Sequence, residues 1–93
     1  MTVLVSAVVK PTAEGRAAVR EAIATALPLV RQEPGCISYD AAENESEFFF
    51  IEQWESPEAL TAHSTSPAFT AMVQAVGPHL YEPLQVRTGS SLT

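Results

Sequence analysis

The stretch IEQWESPEALTAHSTSPAF, residues 51–69, joins the end of an aromatic strand to two Ser-Pro helix starts. In each Ser-Pro pair the serine hydroxyl can accept a backbone N–H that the first helical turn leaves unpaired, and proline at the first helical position gives up a donor that had no partner there. Ser56-Pro57 therefore predicts a short helix to about His63. Ser66-Pro67 predicts a second one, carrying Phe69, Met72, Val73 and Val76 on one face and ended by Gly77-Pro78.

Working outward, Cys36 to Ala42 and Glu47 to Glu55 read as two strands joined by the polar turn Glu43-Asn44-Glu45-Ser46, an antiparallel hairpin. Residues 2–9 (TVLVSAVV) are β-branched and apolar in both registers, the pattern of a strand covered on both faces. Thr12 can cap a helix over about 13–33, with Val19, Ile23, Leu27 and Val30 at helical spacing. Pro28 lies inside that helix, where it predicts a kink or an early end, and Pro34-Gly35 is the stop signal. Glu82 to Thr88 alternates Leu84 and Val86 with Gln85 and Arg87 and reads as a last strand.

The order β-α-β-β-α(α)-β, with right-handed crossovers, predicts an α+β fold: a ferredoxin-like split β-α-β with a four-stranded antiparallel sheet and all helices on one face. At 93 residues this reads as a single domain over 1–93. Both faces of the strands are apolar, however. Phe48, Phe50 and Trp54 lie on one side of the third strand and Phe49 and Ile51 on the other, while Val3, Val5 and Val9 oppose Leu4 and Val8 in the first. A bare apolar sheet face needs cover, and a homodimer packed sheet to sheet is the simplest expectation.

Charge narrows the function classes. The net charge is −6; the five basic residues all lie outside positions 32–86, and seven carboxylates fall between Asp40 and Glu58. Such a surface repels phosphate backbones and anionic lipid, so neither nucleic acid nor membrane is an expected partner. The apolar run Val3 to Val9 has no preceding basic residue and is too short for a membrane span, which reads as a cytoplasmic protein. The single cysteine, Cys36, follows Pro34-Gly35 at a strand start and reads as a small buried hydrophobe.

One histidine stands near a large aromatic wall: His63, nine residues after Trp54. It falls in the last turn of the short helix, one turn after Ala59 and Leu60, on the face that meets the sheet. An imidazole so placed is either a satisfied core residue or a general base, and the sequence leaves both open. Other chemistries lack their residues. His79 lies sixteen positions from His63 with no cysteine or carboxylate at metal-ligand spacing; the acidic turn lacks the glycine and bidentate glutamate of a calcium loop; and the four glycines form no phosphate-binding motif. No metal and no cofactor is expected.

The runs EPGCISY (33–39), IEQWESPEALTAH (51–63) and SPAF (66–69) closely resemble the antibiotic-biosynthesis-monooxygenase (ABM) family, and EQWES is most similar to its quinol monooxygenase branch. The resemblance covers nearly the whole chain and implies a dimeric α/β barrel with a pocket in each subunit between sheet and helices. It places Phe50, Trp54, Leu60, His63, Phe69 and Met72 on that pocket's wall, with His63 and Trp54 as catalytic residues and Phe50, Leu60, Phe69 and Met72 as substrate-binding ones. Members that oxygenate hydroxylated polycyclic aromatics carry an asparagine four residues before the tryptophan. Phe50 stands there, and the one asparagine, Asn44, is in the hairpin turn. In the haem-degrading branch the axial histidine and its strand asparagine would fall on Val73 and near Ser6 or Ala7.

The reading these residues support best is a cofactor-independent monooxygenase acting on a quinol or a similar dihydroxy-aromatic with O2. His63 would take the phenolic proton while Trp54 and Phe50 stack on the ring. A non-catalytic small-molecule-binding dimer and a cofactor-free isomerase of a small hydroxy-ketone remain the alternatives.

Overall fold

The structure is a computed structural model and describes residues 2–93. Strand β1 spans Val3–Val9, helix α1 Arg16–Val30, β2 Cys36–Glu43, β3 Phe48–Trp54, α2 Pro57–His63, α3 Pro67–Val76 and β4 Gln85–Ser90, with a short 3-10 turn at Gly77–His79. The strands form one antiparallel sheet in the order β2-β3-β1-β4. This is the ferredoxin-like α+β arrangement that the pattern of elements predicts.

Strand periodicity separates the two faces of the sheet. In the β1–β3 ladder Val3 faces Trp54, Val5 faces Glu52, Ala7 faces Phe50 and Val9 faces Phe48, and all eight are buried beneath the helices. The alternate row is open: Leu4 and Ile51 are 42% and 58% exposed. The expectation that β1 is covered on both faces is therefore met on one face only within a single chain. Val19, Ile23, Ala26 and Val30 of α1 and Met72 and Val76 of α3 close the core from above.

Helix α1 is shorter than the sequence suggests, for local reasons. The carbonyl and hydroxyl oxygens of Thr12 both accept from Gly15 N–H at 3.1 Å, so Thr12 closes a separate turn and Gly15 becomes the helix cap. At the other end the helix runs through Pro28 and stops two residues later at Val30. Residues 31–33 then wind in a tighter turn with three-residue spacing, Gln32 N–H on Leu29 O and Glu33 N–H on Val30 O. This turn delivers Glu33 to the underside of α2.

The two Ser-Pro starts behave as read. Ser56 Oγ accepts from Ala59 N–H at 3.1 Å and Ser66 Oγ from Phe69 N–H at 3.2 Å. In the hairpin, Asn44 Oδ1 accepts from the N–H groups of Ser46 and Glu47, both at 2.9 Å. Arg16 and Arg20 converge on Glu43, which holds that carboxyl down to a pKa of about 2 and pins α1 to the hairpin. The last strand starts at Gln85 rather than at Glu82. Pro83 has no N–H to give the ladder, and the chain there is held instead by Tyr81 N–H on Lys10 O at 2.7 Å.

Gly35 is fixed twice over. Its φ is +81°, a region that costs a side-chain-bearing residue, and a Cβ there would come within 2.5 Å of Ala59 Cβ on α2. Gly35→Ala is expected to destabilise the fold by about 1–3 kcal/mol from backbone strain. A denaturant titration with an unshifted midpoint would contradict it.

Candidate active site

Between the buried face of the sheet and helices α1 to α3 lies a cavity of about 270 Å3. Its wall is almost wholly apolar and includes Val5, Ile23, Phe50, Leu60, Phe69 and Met72. The polar groups that break this surface are few, and Tyr39, Glu52 and His63 are the buried ones among them.

His63 closes α2 and is 4% exposed. Its Nδ1 lies 2.8 Å from Glu33 Oε1, and the other Glu33 oxygen accepts from Ser66 Oγ at 2.8 Å. The imidazole is boxed by aromatic rings: Trp54 at 4.6 Å between centroids and a shallow 30° tilt, Phe69 at 4.8 Å and Tyr39 at 5.4 Å, the latter two edge-on. A carboxylate can only accept, so Glu33 keeps the ring hydrogen on Nδ1 and leaves the Nε2 lone pair of the neutral ring for a ligand.

Trp54 has a different place from the one implied by the family likeness. It is fully buried and stands behind His63, off the cavity wall, so it cannot stack on a ligand ring. Its face supports the imidazole and its Nε1–H donates to Glu52 Oε1 at 2.9 Å. Phe50, Leu60, Phe69 and Met72 all reach the cavity as expected.

The sequence reading missed three polar residues. Glu52 pairs with Val5 on the buried face, and burial pushes its carboxyl above the usual range, against the bond from Trp54 and the nearby His63. Tyr39, opposite Glu52 in the β2–β3 ladder, has its phenol pushed well up by burial and then by the charges of Glu52 and Glu33. Glu33 lies thirty residues from His63 and is brought there by the turn after α1. The alternation of β3 does place Glu52 on the same face as Phe50 and Trp54, a signal available in the sequence; no pattern links Glu33 to His63. Cys36 is half-buried beside Trp54 and its thiol is raised, chiefly by burial, which suits packing better than nucleophilic attack.

Comparison with known proteins places this architecture. The sequence matches the antibiotic biosynthesis monooxygenase family over residues 2–75. The chain belongs to the ABM family. Rv0793 from Mycobacterium tuberculosis shares 30% identity and superposes with a TM-score of 0.94, covering 100% of this chain and 97% of that one. A crystal structure described as an antibiotic biosynthesis monooxygenase has 26% identity and a TM-score of 0.91, over 98% of this chain and 99% of the other. The protein sll1783 of Synechocystis is 38% identical over 60 residues, 61% of this chain and 41% of that protein, so the match spans about two fifths of that relative's length. No helix among the described residues of this ABM-family chain is long and apolar enough to cross a membrane.

The raised carboxyl of Glu52 has a consequence for stability. Its folded pKa lies above the unfolded one, so its effect favours the fold in acid and turns unfavourable as pH rises through the folded value. Glu52→Gln keeps an oxygen for Trp54 Nε1–H and cannot ionise. The variant is expected to melt above the parent at pH 8, with the gap closing towards pH 4; a gap that widens in acid would contradict the assignment.

Proposed function

We propose that this ABM-family protein is a monooxygenase that acts without a cofactor on a quinol or similar dihydroxy-aromatic, with His63 as general base. What supports the reading above all is the Glu33–His63 bond at the edge of an apolar cavity, which leaves Nε2 as the ring nitrogen free to take a proton. The family match, and the description of the 26% identical structure as a monooxygenase, agree with the reaction class.

Ground-state O2 is a triplet and reacts slowly with closed-shell molecules, so the organic substrate must first become electron-rich. His63 Nε2 accepts a phenolic proton, and the carboxylate of Glu33 stabilises the imidazolium through Nδ1–H. The quinolate passes one electron to O2, and the resulting radical pair recombines as a carbon-bound peroxide inside the dry cavity. Loss of water from that peroxide gives a hydroxyquinone. One quinol and one O2 thus yield one hydroxyquinone and one water, and the substrate itself supplies both reducing equivalents.

Oxygen uptake with a naphthoquinol tests this directly. His63→Gln keeps a hydrogen-bonding side chain but no base, and turnover should fall by about 10²–10⁴ while ligand binding is retained. Glu33→Gln should cost less, because the base survives and only its orientation and charge support are lost. A His63→Gln protein with parental turnover would remove His63 from the base role, and binding without turnover in the parent would leave the binding-protein reading.

The open row on the far side of the sheet supports a homodimer packed face to face through Leu4, Val8, Phe49 and Ile51. Sedimentation should give twice the chain mass of 10.0 kDa. Ile51→Glu, which sets a second carboxylate beside Asp40 in the ladder, should shift the protein to monomer. A monomeric parent would contradict the dimer.

A further inference from the structure

Glu52 is a buried carboxyl that the proton transfer above does not use. Its Oε1 accepts from Trp54 Nε1–H, whereas Oε2 has no partner among the described residues. Among the described residues no side-chain nitrogen or oxygen is both shut off from solvent and unpaired, so Oε2 must open to the cavity that Glu52 lines. The same reasoning holds for the hydroxyl of Tyr39, which is 1% exposed and lines the same wall. Trp54 couples the groups: one indole lies against the His63 ring and donates to Glu52, so the free carboxyl oxygen and the imidazole flank the same support.

We propose that Glu52 is the specificity-determining residue of the cavity, anchoring a neutral aromatic ligand by accepting from one hydroxyl while His63 receives the neighbouring one, and excluding ligands that carry a carboxylate. The ligand class that fits is a vicinal diol on a flat ring. A single phenol satisfies only one of the two acceptors and leaves the other desolvated without a partner. Once Glu52 is ionised, a carboxylate ligand meets it charge against charge in a cavity with an apolar wall. The proposal rests on the aromatic-substrate reading above but concerns binding rather than turnover.

The test is titration of the full chain, free of oxygen, with catechol, phenol and salicylate, followed by chemical-shift perturbation of the cavity residues. The parent should bind catechol about 10-fold or more tighter than phenol, and salicylate weakest. In Glu52→Gln the amide oxygen stays on Trp54 Nε1–H, so the group turned to the cavity becomes an NH2 donor. Catechol should then lose its advantage and salicylate should gain.

Equal affinities for catechol and salicylate in the parent would overturn the proposal without any variant. An unchanged ranking in a folded Glu52→Gln protein would also overturn it, while leaving the aromatic cavity intact. If none of the three perturbs the cavity residues, the aromatic-substrate reading falls and this proposal falls with it. Parental binding of catechol with no His63-dependent oxygen uptake would retain the Glu52 assignment and remove only the reaction.

Discussion

The carboxylate of Glu33 ties together the ends of three elements. One oxygen takes Nδ1 of His63 at the end of α2, the other takes the hydroxyl of Ser66 at the start of α3, and the residue itself belongs to the turn that ends α1. Buried polar groups demand partners, and here each supplies the other's. With that bond in place the imidazole has a defined orientation and tautomer. Without it the same ring is a polar group set among Trp54, Tyr39 and Phe69.

Helix and strand placement follows from features visible in the chain. The Ser-Pro pairs set two helix starts through bonds that the structure shows, and the two-residue alternation of Phe48, Phe50 and Trp54 sets the buried face of β3. Boundaries fail where a local bond or a missing donor competes: Thr12 closes its own turn ahead of α1, and Pro83 delays β4. The site is half legible. His63, Phe50, Leu60, Phe69 and Met72 reach the cavity because helical and strand periods carry them there.

Trp54 and Glu33 show where sequence reasoning stops. A tryptophan next to a candidate base reads as a substrate platform, yet in the fold it packs on the far side of the imidazole and the ligand space is left to smaller walls. Glu33 looks like one more surface carboxylate before a Pro-Gly stop. Its role depends on Gly35, whose positive φ and lack of a Cβ let the chain turn tightly against Ala59 and carry the end of α1 under α2. Neither fact is periodic, so neither could be read from spacing.

The packing of Trp54 also gives the protein a built-in optical reporter. It is the one tryptophan in the chain, it is shut off from water, and its indole lies 4.6 Å from the His63 ring while its N–H rests on Glu52. An indole in so apolar a setting emits at short wavelength, and an imidazolium against its face is an efficient quencher. Changes at the His63 ring are thereby expected to reach the steady-state emission of the whole protein, without a label and without disturbing the cavity that Trp54 supports.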